Sequence, residues 1–118
     1  FKADLNNKKP YLDKSRIIID NKNLKGFPDG STIDKDGYLW NAEWNGGQVV
    51  QYDEVGQIIN TMKTPMKKPT CVAFGGLNMN KLFITSAKDN NNDQHDISGN
   101  TICIDTKVKG LYSNRFYI

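Results

Sequence analysis

Apolar and polar positions alternate with a period of two along most of the chain, and no long stretch carries the 3.6-residue rhythm of an amphipathic helix. From Gly30, GSTID reads as a short strand, KDG as a turn and YLWNAEW as a second strand. NGG then closes a tight hairpin, with Gly46 and Gly47 free to take positive φ. QVVQYD continues as a third strand, EVGQ as a turn and IINTMK as a fourth, and Pro65 stops the run. Residues 28–65 therefore predict an antiparallel meander of four strands.

The pattern then restarts. Pro69 leads into CVAFG as a first strand, KLFITSA follows as a second, a polar insertion from Lys88 to Asn100 replaces the short hairpin, and TICID gives the third. Pro28 and Pro69 are 41 residues apart, Leu39 and Leu82 are 43 apart, and Asp53 and Asp105 are 52 apart once the longer loop is included. At the front, FKADL resembles VVQYD and TICID, RIIID resembles the outer strand IINTMK, and NNKKPYLDKS is the longer connection between them. Four strands recurring every forty to fifty residues are the signature of a β-propeller. The predicted fold is all-β: outer strands of one blade at 1–27, a complete blade at 28–65 and a final blade at 66–118, about two and a half blades in all. A propeller closes with at least four, so one sheet face stays open. The competing architecture is a small sandwich of two sheets, in which the repeat is an accident of strand spacing. The chain opens at Phe1 rather than Met, as expected of a processed chain or a piece of a longer one.

Composition narrows the function classes. A length of 118 residues suits one domain. The net charge of +3 rests on scattered lysines such as Lys8, Lys9, Lys67 and Lys68, with no basic face or arginine cluster to track a phosphate backbone, so no nucleic-acid partner is expected. No apolar run approaches the roughly 20 residues of a membrane span, and no signal segment is visible. Cys71 falls on the first strand of its blade and Cys103 on the third, so they stand about twice the 4.8 Å strand spacing apart, beyond disulfide reach. Reduced thiols in a cytoplasmic setting are expected.

Candidate chemistry concentrates at Asp29. First strands of propeller blades line the central channel, and Asp29 stands at the beginning of one, where the next blade has Thr70. The sibling shows that a blade needs no carboxylate there. Asp29 either holds a metal ion through oxygen or moves a proton, or it is a turn residue bonding its own backbone in PDG. His95, the sole histidine, lies among Asp89, Asp93 and Asp96 in KDNNNDQHDISGN, but their spacing fits neither a calcium loop nor a zinc site and reads as a solvated loop. No serine sits in a nucleophile elbow. Trp40, Trp44, Phe74, Phe83 and Tyr52 alternate along strands and are assigned to packing between blades, while Gly46-Gly47 and Gly75-Gly76 mark turns.

PDGSTIDKDGYLWNAEWNGGQVVQYD, followed by PTCVAFGG and LFITSA, resembles the C-terminal part of the regucalcin and gluconolactonase family, senescence-marker-protein-like six-bladed propellers, and the similarity runs from FKADL to GLYSNRF. The resemblance implies a metal-dependent hydrolase of sugar lactones using a divalent ion such as calcium, zinc, magnesium or manganese. It makes Asp29 both a metal ligand and the acid/base, while the family's glutamate and asparagine ligands lie upstream of the segment that begins at Phe1. With one ligand, the chain alone is expected to bind metal poorly and to be inactive. Asn41 and Glu43 stand where the family more often has small or apolar residues, and Glu43 is expected on a strand surface. The reading from another class is a non-catalytic partial propeller that self-associates or pairs with further blades as a binding or assembly module.

Overall fold

The computed structural model describes residues 16–89 and 97–113, and its regular elements are strands apart from a 3-10 turn at Asn21–Asn23 capped by the Asp20 carboxylate. The strands are β1 (Phe27–Ile33), β2 (Leu39–Trp44), β3 (Gln48–Tyr52), β4 (Ile58–Lys63), β5 (Pro69–Gly75), β6 (Lys81–Ser86) and β7 (Thr101–Asp105). They form two antiparallel meanders, a four-stranded sheet in the order β1-β2-β3-β4 and a three-stranded sheet in the order β5-β6-β7. Each predicted strand from GSTID to TICID has its counterpart, although β1 starts earlier, at Phe27.

One face of each sheet meets the other. Trp40, Ala42 and Val49 from the first sheet pack on Val72, Leu82 and Ile84 from the second, with Met66 of the connecting segment between them. Phe74 meets the Trp40 ring edge-on, with centroids 5.6 Å apart. The connection is fastened to the β2–β3 hairpin: the Gly47 amide donates to the Lys67 carbonyl at 3.0 Å and the Thr64 amide to the Gly47 carbonyl at 2.9 Å. The sheets thus sit side by side like successive blades, with their first strands β1 and β5 adjacent.

The β1–β2 turn is organised by Asp34, which is fully buried. One carboxylate oxygen accepts the amides of Asp36 and Tyr38, both at 3.0 Å. The other accepts the Trp40 indole N–H at 2.8 Å and the Gln51 side-chain amide at 3.1 Å. Four donors keep the charge solvated inside the protein. Asp53 repeats half of this device at the β3–β4 turn, where it accepts the amides of Val55 and Gln57 in solvent.

Three local expectations are corrected. Arg16–Asp20, read as an outer strand, is irregular: it runs beside the β3–β4 turn, with the Arg16 guanidinium donating to the Glu54 carbonyl at 3.2 Å and the Ile18 carbonyl against Gly56. A turn offers no hydrogen-bond ladder to extend; FKADL lies outside the described residues. In the NGG hairpin, positive φ falls on Asn45 (65°) and Gly47 (63°) rather than on Gly46, which instead lets the backbone approach the Glu43 side chain. Phe83, assigned to packing between blades, is 38% exposed on the outer face of β6, in register with Ala73 and Cys103. That face is the open one, and on it Cys71 and Cys103 are free thiols on strands separated by β6. Among the described residues no helix is long and apolar enough to cross a membrane.

Candidate functional site

β1 does not pair evenly with β2. Pro28 faces Glu43 and Ser31 faces Asn41, so the backbone bulges outward across Asp29 and Gly30. The sibling strand β5 bulges at the same place: Pro69 faces Ser86, Cys71 faces Thr85, and Thr70 is the extra residue. The two bulges are closed differently. In β5 the Thr70 hydroxyl bonds the Thr85 hydroxyl at 2.8 Å, with only a long bond from the Thr85 hydroxyl to main chain, at the Cys71 carbonyl 3.5 Å away. In β1 the tie goes to main chain: the Asn41 side-chain amide donates to the Asp29 carbonyl at 2.9 Å and to the Ser31 hydroxyl at 2.7 Å, and that hydroxyl donates to the Asp29 carbonyl at 3.3 Å.

The consequence is an uncommitted carboxylate. Asp29 is exposed, and among the described residues its carboxylate has no hydrogen-bond or ionic partner. It makes none of the backbone bonds that a turn-forming aspartate makes, in contrast to Asp34 and Asp53. Gly30, which follows it, is required by packing: a Cβ there would stand 2.5 Å from the Cys71 sulfur. An open cleft of about 180 Å³ adjoins Asp29, lined among others by Ile19, Leu24, Pro28, Ser31, Asn41 and Tyr52. An exposed, unbonded carboxylate beside a cleft can coordinate a hard cation or exchange a proton with a bound molecule.

Beneath the rim lies a polar row that alternation alone did not reveal. Asn41 and Glu43 share one face of β2 with Gln48 and Tyr52 of β3, and β3 is buried at every position. Glu43 is 1% exposed, which corrects the strand-surface expectation; it accepts the Gln48 side-chain amide at 2.7 Å and the Tyr52 hydroxyl at 3.2 Å. Burial first, and then the neighbouring Glu43 charge and hydrogen bond, push the Tyr52 phenol well above its ordinary value. Asn41 is 5% exposed and its side-chain oxygen is buried without a hydrogen-bond partner.

The other candidates stay apart from Asp29. Asp93, His95 and Asp96 lie outside the described residues; Asp89 forms a partly buried ion pair with Lys68 at 2.8 Å and its amide bonds the Ser98 hydroxyl. The Lys68 ammonium also stands 5.5 Å from the Trp44 ring centroid, and Trp44 packs on Phe27. Among the described residues no three His, Cys, Asp or Glu side chains converge, so among them Asp29 is a single carboxylate rather than part of a complete coordination shell.

Residues 1–88 match the family model of the SMP-30/Gluconolactonase/LRE-like region. Among characterised relatives, pentonolactonase XacC of Haloferax volcanii is 41% identical over 70 residues, covering 59% of this chain and 24% of that protein. A 6-deoxy-6-sulfogluconolactonase of Pseudomonas putida is 40% identical over 65 residues, covering 55% of this chain and 22% of that protein. Among solved structures, a calcium-binding regucalcin of Agrobacterium tumefaciens strain C58 superposes with a TM-score of 0.80 at 34% identity, over 89% of this chain and 37% of that one. The chain therefore spans between about a fifth and two fifths of the length of these relatives. Its two sheets are blades of a partial β-propeller.

Proposed function

Because the chain belongs to the SMP-30/gluconolactonase/LRE-like family, we propose that it contributes one catalytic carboxylate, Asp29, to a metal-dependent hydrolase of sugar lactones. The relatives named as lactonases support the reaction class. The observation that carries the assignment is the contrast between the two bulges: Thr70 is bonded within its blade, whereas the Asp29 carboxylate is exposed and bonded to nothing among the described residues. A position that folding leaves unused is available for chemistry.

In this reading Asp29 binds a divalent cation, calcium, zinc, magnesium or manganese, and serves as acid and base. The donor chemistry fits a hard ion, while a single carboxylate accounts for weak binding by this chain alone. When bound, such an ion supplies Lewis-acid polarisation of the ring-ester carbonyl. Asp29 takes a proton from water as the water oxygen bonds to the carbonyl carbon. It returns that proton to the ring oxygen as the C–O bond breaks, leaving the open hydroxy acid. The free thiols of Cys71 and Cys103 suit a cytoplasmic setting. The test is Asp29→Ala in the protein that carries this chain: metal-dependent lactone hydrolysis is expected to fall at least a thousandfold, and retention of most activity removes Asp29 from the mechanism.

A second reading, a non-catalytic assembly module, is favoured by one observation. Among the described residues β7 has no strand beyond it, and the outer face of β5-β6-β7 exposes Phe83 and both thiols. Light scattering on the purified 118-residue chain separates the cases, since a strict monomer argues against self-association through that face.

A further inference from the structure

We propose that Asn41 is a positioning residue that acts through Asp29; the inference rests on the lactonase reading above. Its side-chain amide is the cross-strand clamp of the β1 bulge, reaching the Asp29 carbonyl at 2.9 Å and the Ser31 hydroxyl at 2.7 Å. The carbonyl it holds belongs to the peptide between Asp29 and Gly30, so the clamp fixes the main-chain torsion that sets the direction of the Asp29 Cα–Cβ bond. The glycine next in sequence, in a bulge with an extra residue, has free torsions of its own and does little to hold that peptide plane from the far side. The blade that lacks the carboxylate holds its bulge differently: the Thr70 and Thr85 hydroxyls bond each other at 2.8 Å and the Thr85 hydroxyl donates to the Cys71 carbonyl at 3.5 Å, so among the described residues no side chain reaches the carbonyl of the extra residue itself, Thr70.

The second observation is what Asn41 costs the fold. Its side-chain oxygen is buried with no partner, the only such side-chain atom found among the described residues. A desolvated acceptor without a donor opposes folding, and an apolar side chain of similar size would remove that penalty. The two groups the clamp satisfies, the Asp29 carbonyl and the Ser31 hydroxyl, belong to exposed residues and also bond each other at 3.3 Å without Asn41. Asn41 is thus poorly explained by stability and well explained by aim. Precise placement of a reacting group is worth orders of magnitude in rate, and a residue kept for function at a cost in stability is the usual form of that compromise.

The experiment compares Asn41→Leu, Ser31→Ala, Asp29→Ala and the Asn41→Leu/Asp29→Ala double variant in the protein that carries this chain. Four quantities are read: melting temperature, kcat, KM for a sugar lactone, and Mn2+ affinity from the free-ion paramagnetic resonance signal. Asn41→Leu is expected to melt at or above the wild-type temperature, to lower kcat at least tenfold with KM within threefold, and to weaken Mn2+ binding at least threefold. Ser31→Ala, which removes only one of the ties, is expected to lower kcat two- to fivefold. The double variant is expected to be no worse than Asp29→Ala, as required of a residue that works through another. Retention of kcat and Mn2+ affinity within twofold in both Asn41→Leu and Ser31→Ala, alongside an inactive Asp29→Ala, overturns the positioning role and leaves the lactonase reading intact. Should Asn41→Leu fail to fold, Asn41→Val, which also removes the amide, takes its place, and a kcat unchanged there overturns the role. An active Asp29→Ala overturns both.

Discussion

Replacing Asp34 with alanine tests whether the first sheet is organised from its β1–β2 turn. The carboxylate is fully buried and holds four donors, two of them the side chains of Trp40 and Gln51, themselves 5% and 6% exposed. Alanine strands both side-chain donors away from water, at about 1–3 kcal/mol each, while the Asp36 and Tyr38 amides, less deeply placed, recover part of their loss through water. The expected cost is about 3–5 kcal/mol, in the range reserved for disrupted buried networks. Asp53→Ala is the internal control: it removes the same turn geometry, but from two exposed amides, and is expected to cost about 1 kcal/mol. Urea unfolding followed by tryptophan fluorescence measures both, with the slope of free energy against denaturant checked for constancy between variants. Asp34→Asn is expected to fall between them, because its amide presents a donor to the Trp40 indole N–H. If Asp34→Ala costs no more than Asp53→Ala, the buried network does not organise the sheet and the reasoning fails.

Two further outcomes follow from packing and from titration. Leu82→Ala, at a fully buried position between the sheets, is expected to cost about 2–5 kcal/mol, against less than about 0.5 kcal/mol for Ile58→Ala on the exposed strand β4, and equal costs would mean that the two sheets do not share a core. The Tyr52 phenol is raised from its ordinary 10.0, so its contribution to stability is complete below pH 10 and shrinks as pH rises above 10, where the unfolded chain releases the proton first. Stability against pH between 10 and 11.5 should therefore fall less steeply in Tyr52→Phe, by up to about 1.4 kcal/mol per pH unit, and parallel curves would contradict the burial of this hydroxyl beside Glu43.

The strands were legible because alternation and turn chemistry agree: LWNAEW and QVVQY are bounded by KDG, NGG and EVGQ, and the chain obeys each signal. The fate of polar residues on those strands was not. Alternation assigns Asn41 and Glu43 to the face opposite Trp40 and Ala42, and a face opposite the core is ordinarily wet. A propeller blade is covered on both sides, so that face is buried too, as the complete burial of β3 shows. The sequence signal was available in Gln48 and Tyr52, whose long polar side chains reach Glu43 on that face. At Asp29 the position could be read from the repeat, but its lack of bonding could not, because PDG is equally the spelling of a turn. The bulge that decides between them depends on cross-strand register, which no single strand encodes.

The bare rim of β7 has a consequence for anyone handling this polypeptide. Thr101–Asp105 presents amide and carbonyl groups with no ladder beyond them among the described residues, and such a row is a template on which extended peptide can nucleate. Ile102 and Ile104 turn to the core, and Asp105, Lys107 and Lys109 place charge at the end of the row, the arrangement by which natural sequences restrain runaway fibril growth. Neutralising those gatekeepers is expected to raise the tendency of this edge to pair with further extended chain.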